Sequence, residues 1–222
     1  MKKFTFITFL LMIIFCFTSI SCAKHNSLSP YVSDVREDIF VGENKDFSLK
    51  AYLGKREEPF IKDGTVGLIK PRLFVKITNN FNTNTEVKGV ITFNKISYTE
   101  VFKFDPLTNN LSANFNIENF SDKTFDITLF YLDTSSTITL NSIKPTNALS
   151  VNDALNFLQK NQPTLIDGYF DENKNFNAEL FVRLIVEKEK PYYYIGIATS
   201  KKVVAFLLDG YTGEVLSIKE VF

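Results

Sequence analysis

Between residues 47 and 143 apolar and polar side chains alternate through a series of short segments, and this constrains the fold more than any other feature of the chain. The first segment, 47–53, sets Phe47, Leu49, Ala51 and Leu53 on one side and polar groups on the other. Similar runs occupy 72–78, 87–94, 98–104, 111–118, 125–132 and 137–143. Successive side chains of a strand point to opposite faces, so alternation rich in β-branched and aromatic residues marks half-buried strands. Turn-forming stretches such as 78–82 and 105–110 separate them. About seven strands at this spacing predict two packed antiparallel sheets, an immunoglobulin-like β-sandwich over residues 31–146. The chain has no Trp and no Cys after position 22, so Phe and Leu must fill that core.

Near 144–147 the pattern changes, which places a second domain at 147–222. Ser150 is suited to cap a helix by accepting a bond from the Asp153 amide, and Asp153 complements the first turn. Val151, Ala154, Leu155 and Leu158 then fall on one stripe, and Pro163 ends the segment. Strands are expected at 178–187, 192–199, 203–209 and 215–221. The fold class predicted is therefore mostly β with an α+β part: a sandwich followed by a small domain of one helix on an antiparallel sheet.

The sequence 206–216, with Asp209, Gly210, Thr212, Gly213 and Glu214 at a tight turn, resembles the final hairpin of a PepSY-type domain. The resemblance covers the helix and strands of the second domain. It implies a fold and a binding character, since the family occurs in secreted and membrane-attached bacterial proteins and is associated with inhibiting or chaperoning proteases. It implies no catalytic residue. No protease-like region accompanies it here.

Residues 1–21 read as a signal peptide: Lys2 and Lys3, an apolar run from Phe4 to Phe17, then small residues. Ile20, Ser21 and Cys22 resemble the end of a bacterial lipobox, with Ser19 where Leu is usual. That resemblance implies cleavage before Cys22 and lipid on its sulfur, anchoring the protein to the membrane on the extracytoplasmic face. Two other readings stay open, namely an ordinary cleavage that frees a secreted product and an uncleaved apolar anchor. Residues 22–30, polar and ending in Pro30, read as a tether.

Removing Lys2 and Lys3 leaves 23 basic residues against 25 acidic ones, which argues against nucleic acid as the main partner. The sole histidine, His25, lies in the tether, so a triad, a Cys–His dyad or a histidine-based zinc site has no histidine on the folded body. No cofactor and no metal site are expected. Residues 171–175 start like a calcium loop, but Phe176 and Val182 occupy the positions of its glycine and closing glutamate. Tyr192, Tyr193 and Tyr194 are candidate binding residues, because alternation should leave at least one ring facing outward. The mixed-charge segments 35–40 and 55–60 read as strand ends or loops. Together these features predict a non-enzymatic, lipid-anchored envelope protein that binds an envelope protein or another envelope component. The alternatives are a carboxylate-dependent hydrolase of cell-wall glycan and a structural envelope subunit.

Overall fold

The structure is a computed structural model and describes residues 27–61, 63, 65–78, 86–106 and 108–221. The first eight strands are β1 (Val32–Glu43), β2 (Ser48–Glu57), β3 (Ile69–Ile77), β4 (Val87–Phe93), β5 (Ile96–Asp105), β6 (Asn110–Phe115), β7 (Thr124–Tyr131) and β8 (Thr134–Ser142). They pair antiparallel in the order β1-β2-β3-β6-β5-β4-β7-β8. The circuit then closes, because Phe40 and Val41 of β1 pair with Ser142 and Asn141 of β8.

This is a closed barrel and corrects the sandwich expected from the sequence. The inward residues are those the alternation marks: Leu49, Ala51, Leu73, Val75, Ile127 and Leu140 are all buried. Alternation reports which face of a strand is wet. It does not report whether the last strand returns to the first. Here it returns to β1, whose residues 35–40 read as a strand end or loop and lie inside a strand of 12 residues. Eight strands enclose a space that side chains just fill, and Phe40, Phe93, Phe120 and Phe125 fill one end with edge-on and tilted ring contacts.

The remaining elements are helices α1 (Val151–Asn161) and α2 (Pro163–Asp167) and strands β9 (Glu179–Glu187), β10 (Lys190–Ala198), β11 (Val203–Asp209) and β12 (Val215–Val221). Ser150 caps α1 as predicted, with Asp153 N–H donating to Ser150 Oγ at 3.1 Å, and the Asp153 carboxylate returns the bond by accepting from the Ser150 amide. Pro163 does open a break, but the chain re-enters a short helix at once. Ala154, Leu155 and Leu158 of α1 pack over Leu180, Val182, Tyr193, Ile195 and Phe206 in a second core. Burying each large side chain contributes roughly 1.5–3 kcal/mol. Leu28, inside the stretch read as a tether, is 2% exposed and belongs to this core.

β1 joins the two sheets. Its first half, through residue 36, pairs in parallel with β9, and its second half pairs with β8. A register shift between Arg36 and Asp38 marks the changeover. A bulge of this kind bends a strand and increases its twist, which lets β1 leave one neighbour and take the other.

Candidate functional site

The second sheet carries α1 on one face. Its other face continues, strand by strand, onto the outer wall of the barrel. Arg72 of β3 stands opposite Gly54 of β2, Gly54 opposite Arg36 of β1, Arg36 opposite Arg183 of β9, and Arg183 opposite Tyr194 of β10. Residues directly paired across strands share a face, so these form one transverse row. The next row holds Lys70, Arg56, Asp34 and Phe181 in the same strand order. On the other side lie the pairs Phe74–Tyr52 and Lys76–Lys50.

Aromatic rings fix the cations. The guanidinium of Arg36 sits 4.8 Å from the centre of the Tyr52 ring, that of Arg72 4.4 Å from Phe74, and that of Arg183 5.2 Å from Phe181. Lys50 and Lys76 also approach Tyr52 and Phe74, at 5.7 and 5.5 Å. Tyr52 and Phe74 are themselves stacked, with centroids 6.5 Å apart. Such contacts hold a cation over an apolar surface without neutralising it. Gly54 stays small because a Cβ there would lie 1.8 Å from the Val35 carbonyl oxygen, where β1 approaches at the bulge.

Carboxylates do not balance this face. Asp34 is committed to Arg183, and Glu58 to Lys70 at 2.9 Å. Glu57 turns one oxygen to the Gly67 amide. Arg72 donates from Nε to Asn114 Oδ1 at 2.9 Å, while the buried Nε of Arg56 has no hydrogen-bond partner among the described residues. Burial first, and then the guanidinium of Arg56, push the pKa of Arg72 down to about 10, against the pull of Asp34. Arg36 is lowered as well, by burial and by Arg183. Both remain charged at neutral pH, so the lowered values express the cost of crowding cations in a partly dry site. An incoming anion relieves that cost. A recess of about 290 Å³, where Arg56, Lys70 and Arg72 outnumber Glu57 and Glu58, gives it a place to enter. A larger cleft of about 520 Å³ beside α1 is lined by one acidic and one basic residue, Glu37 and Lys55, and has no comparable field.

The structure divides the tyrosine run. Tyr193 is fully buried under α1, and its hydroxyl donates to the Leu149 carbonyl at 2.6 Å. Tyr192 and Tyr194 are half-buried on the opposite face, where Tyr194 stacks on Phe181 at 5.9 Å and ends the arginine row. Asp171 accepts bonds from the backbone and side-chain amides of Asn175, closing a short polar hairpin. Cys22 and His25 lie outside the described residues. The arginines themselves escape a search for catalytic motifs. Their signal was the outward half of the same alternation, which reads Lys50, Tyr52, Gly54, Arg56 on one strand and Lys70, Arg72, Phe74, Lys76 on the next.

No protein-family model, curated protein or solved structure matches the chain.

Proposed function

We propose that this chain is an exported, non-enzymatic binding protein of the bacterial envelope, anchored by lipid at Cys22, which presents its open sheet face to a negatively charged envelope component. The signal-like residues 1–21 and the lipobox-like Ile20, Ser21 and Cys22 support the export and the anchor. The PepSY-like hairpin at 206–216 fits a binding role outside the cytoplasm. The observation that carries the reading is the face itself: Arg36, Arg72 and Arg183 crowd together beside Arg56 and all draw on the buried carboxylate of Asp34, on a chain whose formal net charge is +0. Charge concentrated in this way steers and holds an oppositely charged partner.

Two measurements test it. The intact mass of the membrane-fraction product should correspond to cleavage before Cys22 plus acyl chains, and Cys22→Ala should lose both. A form made without residues 1–22, and so without the anchor, should also sediment with isolated envelopes and be released by salt, because exposed charges more than about 8 Å apart are screened at physiological ionic strength. In that unanchored form Arg36→Glu with Arg72→Glu should abolish the sedimentation. Sedimentation of that variant at the wild-type level would remove the face from the function.

A further inference from the structure

We propose that the ligand of this face is a flexible polymer of phosphodiester-linked polyol units, recognised through its repeated oxyanions. The inference rests on the reading of the open face as the binding surface, and three observations narrow the chemistry.

The first is extent. Arg72, Arg36 and Arg183 occupy one row across β3, β2, β1 and β9. Neighbouring strands lie about 4.8 Å apart, so the row spans roughly 14 Å. One phosphate or carboxylate cannot meet groups spread over that distance. A chain of regularly spaced anions can.

The second is the kind of cation. Guanidiniums take the centre, while Lys50, Lys70 and Lys76 stand farther along the same two strands, β2 and β3. A guanidinium offers planar forked donors that match two oxygens of a phosphate, and it gives up water more readily than an ammonium. Arg56 Nε is a buried donor still to be used.

The third is the state of the rings. In the arginine-bearing half, the Tyr52 and Phe74 rings each lie under two cations, Arg36 with Lys50 and Arg72 with Lys76. Binding of single-stranded nucleic acid relies on aromatic faces on which bases stack. Sugar rings would need the same kind of flat platform. Here those faces are taken, so the rings orient the arginines and the ligand is held by its backbone charge. A polyol phosphate needs no platform.

The test uses the full-length protein in detergent with three probes of matched charge: poly(glycerol phosphate), polygalacturonate and oligo-dT. Titrations run across a salt series. Poly(glycerol phosphate) should bind, with log Kd rising linearly in log salt. Arg36→Gln with Arg72→Gln should weaken it at least about tenfold and flatten the slope by roughly 0.7 per lost contact. Arg36→Lys with Arg72→Lys keeps the charge and loses the fork, so it should fall between, and Lys160→Gln on α1 should match wild type. Unchanged thermal melting would show that the variants fold. Tighter binding of polygalacturonate or oligo-dT, with the same arginine dependence, would overturn the polymer class and leave the face intact. Poly(glycerol phosphate) binding indifferent to all the arginine changes would overturn the face as well. Absence of binding to every probe would overturn the proposal, while the envelope sedimentation still decides the face.

Discussion

Arg183 of β9 donates from both Nε and Nη2 to a single oxygen of Asp34 on β1, at 3.3 and 2.9 Å, across 149 residues of sequence. The pair fastens the second sheet to the barrel strand that both sheets share. It also supplies the carboxylate that tempers the arginine row. Asp34 is 4% exposed, so its charge is stabilised by this partner and not by water.

Replacing Asp34 by Asn should therefore move two quantities in opposite directions. Removing one partner of a buried pair leaves the other uncompensated, and the expected loss of stability is about 2–3 kcal/mol. Affinity for an anionic polymer should meanwhile rise, since no carboxylate then competes for the guanidiniums. Urea unfolding and a polyanion titration on the same variant check both, and a parallel loss of stability and affinity would contradict the assignment of Asp34 as the tempering charge.

The turn between β11 and β12 should prove a clamp on α1. Asp209 accepts amide bonds from Tyr211 and Thr212, Gly210 accepts one from Leu149 N–H, and Asn161 donates to the Gly213 carbonyl at 3.1 Å. Gly213 has φ +73°, and a Cβ there would lie 2.3 Å from the Phe157 ring. Gly213→Ala combines left-handed strain with a clash against the helix, and about 2–3 kcal/mol should be lost. Asn161→Ala, which removes only the hydrogen bond, should cost nearer 1 kcal/mol. Equal losses from the two would mean that the clash relaxes freely.

The first of the described residues give a third expectation. Leu28 packs with α1 and β9 residues in the second core, and Ser29 Oγ donates to Asn152 Oδ1 at 2.9 Å. Leu28→Ala should destabilise by about 2–5 kcal/mol, the usual range for a buried leucine. A residue in a free tether would cost nothing, so chemical denaturation separates the two cases directly.

What the sequence disclosed follows from what local patterns encode. The alternation at 47–53 and 125–132 put Leu49, Ala51, Ile127 and Leu129 inward, and they are inward. The Ser150–Asp153 cap and the stripe of α1 depend on contacts within one turn, so they too were legible. β1 was not. Its apolar period is interrupted at Glu37 by the bulge, and beyond it Ile39 is buried in the second core while Phe40 enters the barrel. A strand serving two cores loses the simple alternation that reveals a strand serving one. Without β1 the closure of the barrel could not be read. The arginine row was hidden for the same reason, since it exists only once β1 pairs with both β2 and β9. The tyrosine run was visible, but which ring turned outward depended on where α1 docked.

Tyr193 yields a prediction about alkaline stability. Burial, and then the nearby charges of Glu37, Asp38 and Asp153, raise its phenol above the ordinary value of 10.0. The unfolded chain releases this proton near pH 10 while the folded protein keeps it, so the unfolded state binds fewer protons there. Stability from this group is complete below pH 10 and drains away as pH rises toward the folded pKa, at up to about 1.4 kcal/mol per pH unit. Tyr193→Phe removes the titration and also the hydroxyl's bond to the Leu149 carbonyl. The variant should be less stable at neutral pH by about 1–2 kcal/mol. Its stability should then decline less steeply than wild type between about pH 9.5 and 11, the interval in which the phenol titrates in the unfolded chain alone. Urea midpoints measured across that interval decide the matter: converging curves support a phenol held neutral beneath α1, and parallel curves would show that Tyr193 ionises as readily in the fold as out of it.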